Sequence, residues 1–174
     1  LNHSWSLIIA DQSSGRTENL TSYEQPSITS ISQAAIVDGI HTNGTSVVTL
    51  SGQNFGPNTG TSNPIRALYV NENLEGLAGF AYDVSCSILV NHTTIVCETS
   101  EGVGLNHTWY VTVGYQKSNA SEEVTKYRNL LVYSLLSLSI EGSTLIATDG
   151  SDMVMIVGEE FGPVNSLNKI EASY

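Results

Sequence analysis

Basic residues are scarce in this chain: six Lys and Arg stand against 17 Asp and Glu, for a formal net charge of −11. With no basic cluster, most of the surface repels a phosphate backbone, so nucleic acid is not an expected partner. The acidity reads as a solvated exterior rather than a cation site. Long apolar runs are missing too. The longest candidate, from Leu130 to Ile140, is shorter than the roughly 20 residues a membrane span needs and is broken by Ser134, Ser137 and Ser139. No extended amphipathic helical pattern appears, and Leu, Ile and Val fall in short runs between Ser, Thr, Gly and Asn, which points to strands.

The signatures of catalysis are equally sparse. The chain has no Cys-x-x-Cys, no His-x-x-x-His and no Gly-x-Ser-x-Gly elbow. Of its four histidines, His3, His92 and His107 each occupy the middle of an Asn-His-Ser/Thr triplet and read as exposed, solvated side chains. The expectation is a protein without enzymatic activity and without a cofactor. The best metal candidates are Asp149 and Asp152, whose oxygens would suit calcium. The twelve-residue calcium-loop pattern is missing around them, so an ordinary polar turn is the preferred reading.

What the chain does have is a repeat. Ser51-Gly52-Gln53-Asn54-Phe55-Gly56-Pro57 returns as Val157-Gly158-Glu159-Glu160-Phe161-Gly162-Pro163, each time after a short apolar run that reads as a strand. The glycines Gly52, Gly56, Gly158 and Gly162 supply unusual backbone angles, and Phe55 and Phe161 anchor the turn. Because Gln53-Asn54 becomes Glu159-Glu160, the shared structure reads as backbone and Phe, with no common role for the two polar side chains. A second pair, Leu1 to Ile9 and Leu105 to Val113, repeats a strand in which Trp5, Leu7 and Ile9, like Trp109, Val111 and Val113, share one face expected to point inward. The match runs on from Gln12 and Gln116 to Tyr23 and Tyr127. After a three-residue adjustment it places Ser27 to Ser32 on Ser134 to Ser139.

The period is about 105 residues, too long for a solenoid unit and suited to a tandem β-sandwich domain. Candidate strands of the complete copy lie at 27–33, 46–52, 65–71, 84–90, 93–99 and 107–115, with a short closing strand near 130–134. The stretches from Pro57 to Pro64 and Asn71 to Gly79 read as exposed loops. The expected division is 1–25 as the last strands of one domain, 26–133 as a complete domain, and 134–174 as the first strands of another. The chain thus reads as a window on a longer one.

Six Asn-x-Ser/Thr acceptors are present: Asn2, Asn19, Asn43, Asn91, Asn106 and Asn119. Chance alone would give about three, so N-glycosylation is expected. Cys86 and Cys97 sit symmetrically about the Asn91-His92 pair, and a hairpin there would oppose them closely enough for a disulfide, worth about 3 kcal/mol in the chain-entropy treatment. The alternative is a pair of reduced core cysteines. A bridged hairpin with a sequon at its tip points to the secretory pathway and an extracellular or cell-surface location.

Pro26 to Ser32 as an opening strand, Val48 to Gly56 as strand and turn, and the Cys86/Cys97 hairpin together resemble the IPT/TIG domain, an immunoglobulin-like fold of receptors and surface proteins. The resemblance implies an all-β, immunoglobulin-like β-sandwich in tandem, one complete domain flanked by two partial ones. It implies a structural or adhesive glycoprotein forming a rigid stalk or fibril, whose partners are neighbouring domains of the same kind. The alternative is a receptor ectodomain that binds a protein ligand. A Rel-like, DNA-binding use of the fold would need basic loops that are missing here.

Overall fold

The computed structural model of the chain describes residues 2–58, 65–71, 81–138, 145–164 and 171–173. In chain order the elements are β1 (Asn2–His3), β2 (Ile8–Ile9), β3 (Gln12–Ser13), β4 (Thr21–Ser22), β5 (Ser27–Ile31), α1 (Gln33–Val37), β6 (Val47–Gln53), β7 (Ile65–Val70), β8 (Ala81–Val90), β9 (Thr94–Glu98), β10 (His107–Val113), β11 (Gln116–Lys117), β12 (Val124–Thr125), β13 (Leu131–Ser137) and β14 (Val154–Glu159). The protein is all-β, as expected. Parts of two expected loops, 59–64 and 72–79, lie outside the described residues.

The middle repeat is one antiparallel sheet in the order β11-β10-β7-β8-β9-β6-β5, with β12 pairing β10 at its far edge. The sheet curls so that its inner face closes on a single core, in the manner of a β-sandwich. Alternation along each strand decides what enters that core. Val48 and Leu50 from β6, Ala67 and Tyr69 from β7, Ile95 and Cys97 from β9, and Trp109 and Val111 from β10 are all buried. Tyr69 is the centre of the packing. Its ring stacks on Trp109 at 4.4 Å and on Tyr82 at 4.8 Å, offset aromatic contacts that add to the area they bury. Helix α1 was not read from the sequence, because five residues are too few to show a helical period. It lays Ala35 against the same core.

Cys86 and Cys97 are directly paired across β8 and β9 and form a disulfide. The turn between them takes His92 through φ 66°. Reduction is expected to lower the stability of the middle repeat by roughly 3 kcal/mol, read as a drop in the urea midpoint. An unchanged midpoint would remove the bridge from the account of stability.

Repetition is visible in the backbone itself. In β10 to β12, Trp109 Nε1 donates to Thr125 Oγ1 at 2.9 Å and the Val111 amide to Ser118 Oγ at 2.9 Å. In residues 2–22, Trp5 Nε1 donates to Thr21 Oγ1 at 2.8 Å and the Leu7 amide to Ser14 Oγ at 2.8 Å. The glycine-Phe turn is copied as closely. Gly56 and Gly162 have φ of 84° and 83°, Asn54 and Glu160 of 62° and 61°.

Three expectations are corrected. Pairing of Ile28 with Gly52 and of Val132 with Gly158, each followed by a bulge, puts Ile28 in register with Val132. The match therefore passes through the opening strand without the three-residue adjustment, and the length difference falls between the two strands of each hairpin. Residues 130–134 do not close the middle sheet, because β13 pairs with β14. Finally, Trp5, Leu7 and Ile9 are 62–65% exposed where Trp109 and Val111 are fully buried. An apolar strand face becomes core only when a second layer covers it, and among the described residues none covers this one.

Candidate functional site

The middle repeat meets its neighbours through hydrogen bonds along both connections, and these junctions are the candidate site. At the first, the connecting residues Tyr23 to Gln25 are held from two sides. Gln116 Nε2 donates to the Tyr23 carbonyl at 3.0 Å, and Gln25 Nε2 reaches back to the Lys117 carbonyl. From the glycine-Phe turn, Asn54 Nδ2 donates to the Gln25 carbonyl at 3.1 Å and to Glu24 Oε2 at 3.3 Å. Pro26 is buried at the end of this stretch. Beside it lies an open cleft of ≈ 510 Å³ lined by Tyr23, Glu24, Asn54, His92 and Gln116 among others.

The second junction is built on the segment from Gly39 to Thr42. Gly39 has φ 85°, and a Cβ there would press on the backbone of Lys126 to Arg128 at 3.1–3.2 Å, so only glycine lets the outgoing chain pass this close. The Ile40 amide donates to Lys126 O, and the Arg128 amide to Ile40 O, each at 2.9 Å. Next along, Glu160 reaches in from the following repeat. Its Oε1 lies 2.6 Å from His41 Nδ1, and its Oε2 accepts from the Thr42 amide and the Thr42 hydroxyl, both at 2.8 Å. Burial pushes the Glu160 carboxyl up, but the Thr42 amide, the Thr42 hydroxyl and His41 together outweigh it and hold the group below its ordinary value. The sequence reading gave the residue at this position no role, because Asn and Glu differ; the structure places both side chains at junctions.

All six sequon asparagines, Asn2, Asn19, Asn43, Asn91, Asn106 and Asn119, are exposed. Asn43 Oδ1 accepts from the Thr45 amide and hydroxyl of its own sequon, and Asn91 Oδ1 accepts from the Asn58 amide. In both the atom engaged in these bonds is the oxygen rather than Nδ2, the atom that carries a glycan. Asp149 and Asp152 spend their carboxylates on their own loop. Asp149 Oδ1 accepts from the Ser151 amide and hydroxyl, and Asp152 Oδ2 from the Ala147 amide. That is the polar-turn arrangement, and no cluster of three or more metal-ligating side chains occurs among the described residues.

One histidine departs from the expected exposure. His107 is fully buried, because it shares the inward face of β10 with Trp109 and Val111. Its ring sits edge-on among Tyr69, Tyr82 and Tyr127, with centroids at 5.3–5.7 Å. Neither ring nitrogen makes a hydrogen bond. Burial drives its pKa down to about 4, with the nearby Thr125 and Val103 carbonyls acting weakly the other way and outside hydrogen-bond geometry. Burial likewise raises Tyr69 to about 12, against the lowering effect of its 2.8 Å bond to the Tyr127 hydroxyl, and raises Tyr127 further, where that same bond acts in the direction of burial; Tyr127 donates to the Ser100 carbonyl. Such a closed aromatic box offers no approach to a substrate, and its chemistry is that of packing.

No helix among the described residues is long and apolar enough to cross a membrane. No known family model, no curated protein and no solved structure matches the chain.

Proposed function

We propose that the protein is a segment of a non-enzymatic, structural or adhesive extracellular glycoprotein built of tandem immunoglobulin-like repeats of the IPT/TIG type, held at fixed angles to form a stiff stalk or fibril. The observation that carries this reading is the pair of junctions. The first connection is only a few residues long and is hydrogen-bonded along the middle repeat, and at the second Glu160 bonds the middle repeat directly, which leaves little slack for reorientation. A disulfide and six exposed sequons support passage through an oxidising, glycosylating compartment.

Two measurements test it. Protein secreted from eukaryotic cells is expected to lose a large mass when N-glycans are removed enzymatically, and electron microscopy of the chain with its neighbouring repeats is expected to show straight rods. An unshifted mass would defeat the extracellular reading, and freely jointed beads would defeat the stalk. The open cleft beside the first junction favours the second reading, a receptor ectodomain that takes a protein ligand there. Chains joined by a rigid junction yet terminating in a membrane anchor, with a soluble partner that protects Tyr23 from labelling, would move the assignment to it.

A further inference from the structure

A glutamate in left-handed backbone conformation needs a reason. Glycine, asparagine and aspartate take φ near 60° readily, while other side chains cost about 1 kcal/mol there. Glu160 is held at φ 61°, at the same turn position where Asn54 has φ 62°. The copied turn sets this angle, so what distinguishes position 160 is the side chain it carries there and what that side chain meets.

The two side chains face opposite chemistry. At the first junction the connecting stretch presents acceptors, the Gln25 carbonyl and Glu24 Oε2, and Asn54 offers them an amide donor. At the second, the end of the middle repeat presents donors, the Thr42 amide and hydroxyl beside His41, and Glu160 offers them a carboxylate with only 12% of its side chain exposed. A carboxylate receiving several hydrogen bonds in a half-dry site is held more strongly than a neutral amide would be. An asparagine at 160 is one methylene short and would turn either too few acceptors or a donor toward the Thr42 amide.

We propose that this turn position is a junction key: its residue is matched to the groups at the end of the preceding repeat, and it fixes which repeat follows which and at what angle. The segment from Ile40 to Thr42 is then a carboxylate socket that accepts a repeat bearing an acidic key, and the amide key of Asn54 belongs to a different junction. The inference rests on the tandem reading for the meaning of repeat order, but the contact itself stands apart from glycosylation and from location.

The test measures distances across each junction in the whole chain. Bioorthogonal spin labels at Glu98 and Thr148 report the second junction, labels at Gln12 and Glu98 report the first, and a pair on β13 and β14 checks that the hairpin stays folded. The unaltered protein is expected to give one narrow peak at each junction. Glu160→Ala and Glu160→Asn are both expected to lose the narrow peak at the second junction and keep it at the first, and Asn54→Ala to do the reverse. A narrow second-junction peak in Glu160→Ala would overturn the contact. A narrow peak in Glu160→Asn alone would overturn the matching, since any polar residue would then serve. Loss of the hairpin signal in either variant would show that Glu160 folds its own turn, and would overturn the key as well. Failure of the glycan-mass or rod-imaging tests would leave these distances unaffected, so the two readings fail separately.

Discussion

Acidifying the protein from pH 7 to pH 4 is expected to remove roughly 3 kcal/mol from the stability of the middle repeat through His107 alone. In the folded chain this imidazole is enclosed by three tyrosine rings, has no hydrogen-bond partner for either nitrogen, and titrates at about 4. In the unfolded chain it returns to its ordinary value of 6.5. Above pH 6.5 both forms are neutral and the contribution is complete. Between 6.5 and 4 the unfolded chain binds a proton that the folded one does not, so stability falls by about 1.4 kcal/mol per pH unit. Below 4 both bind it and the loss stops. Glu160 contributes in a lower window. Its folded value is depressed, so its contribution is intact above the ordinary carboxylate range and fades only as pH drops through the folded value. Denaturant midpoints at a series of pH values, compared between the protein and His107→Leu, isolate the histidine. The variant is expected to be flatter between pH 6.5 and 4, and parallel curves would sink the assignment.

The second large effect belongs to Gly52. A Cβ at this position would lie 1.9 Å from the Ser27 carbonyl oxygen and 2.5 Å from Phe55 Cζ. The first contact is with backbone held in the β5–β6 pairing, next to the bulge between Ile28 and Ser30, and the second is with a ring that is fully buried. Neither can retreat without opening the core. Gly52→Ala is therefore expected to cost about 4 kcal/mol or more, enough to unfold the middle repeat at moderate temperature. Gly158→Ala is the internal control. Its Cβ would meet Leu131 O at 1.9 Å and Phe161 Cζ at 2.7 Å, but the damage should stay within the β13–β14 hairpin. Thermal unfolding followed by near-ultraviolet dichroism of Trp109 distinguishes the two; equal effects on that signal would refute the localisation.

Much of this was legible in the chain of letters, and the failures have physical causes. The Trp109 strand and the Cys86–Cys97 hairpin follow from local rules, a period of two and a symmetric spacing, and both are present. The same period would have put His107 inside with Trp109 and Val111, but the sequon around it suggested exposure; a sequon constrains Asn106, not its neighbour's direction. Alternation marks the face of Trp5, Leu7 and Ile9 as apolar without saying whether anything covers it. Glu160 was passed over because its partners, His41 and Thr42, lie more than a hundred residues away in sequence and belong to another repeat. Comparing two copies shows what the fold needs in common. It is silent on what each junction needs in particular.

The disulfide joins residues only 11 apart, and the chain has no other cysteines. Pulled from its two ends, the chain would meet no covalent stop outside that hairpin. Once the bonds of Ile40 to Lys126 and Arg128 gave way, the middle repeat could lengthen by nearly its whole contour, roughly 300 Å at ~3.4 Å per residue. The bridge therefore keeps the two ends of the Cys86–Cys97 hairpin together, so this short stretch is the part of the repeat that pulling cannot extend.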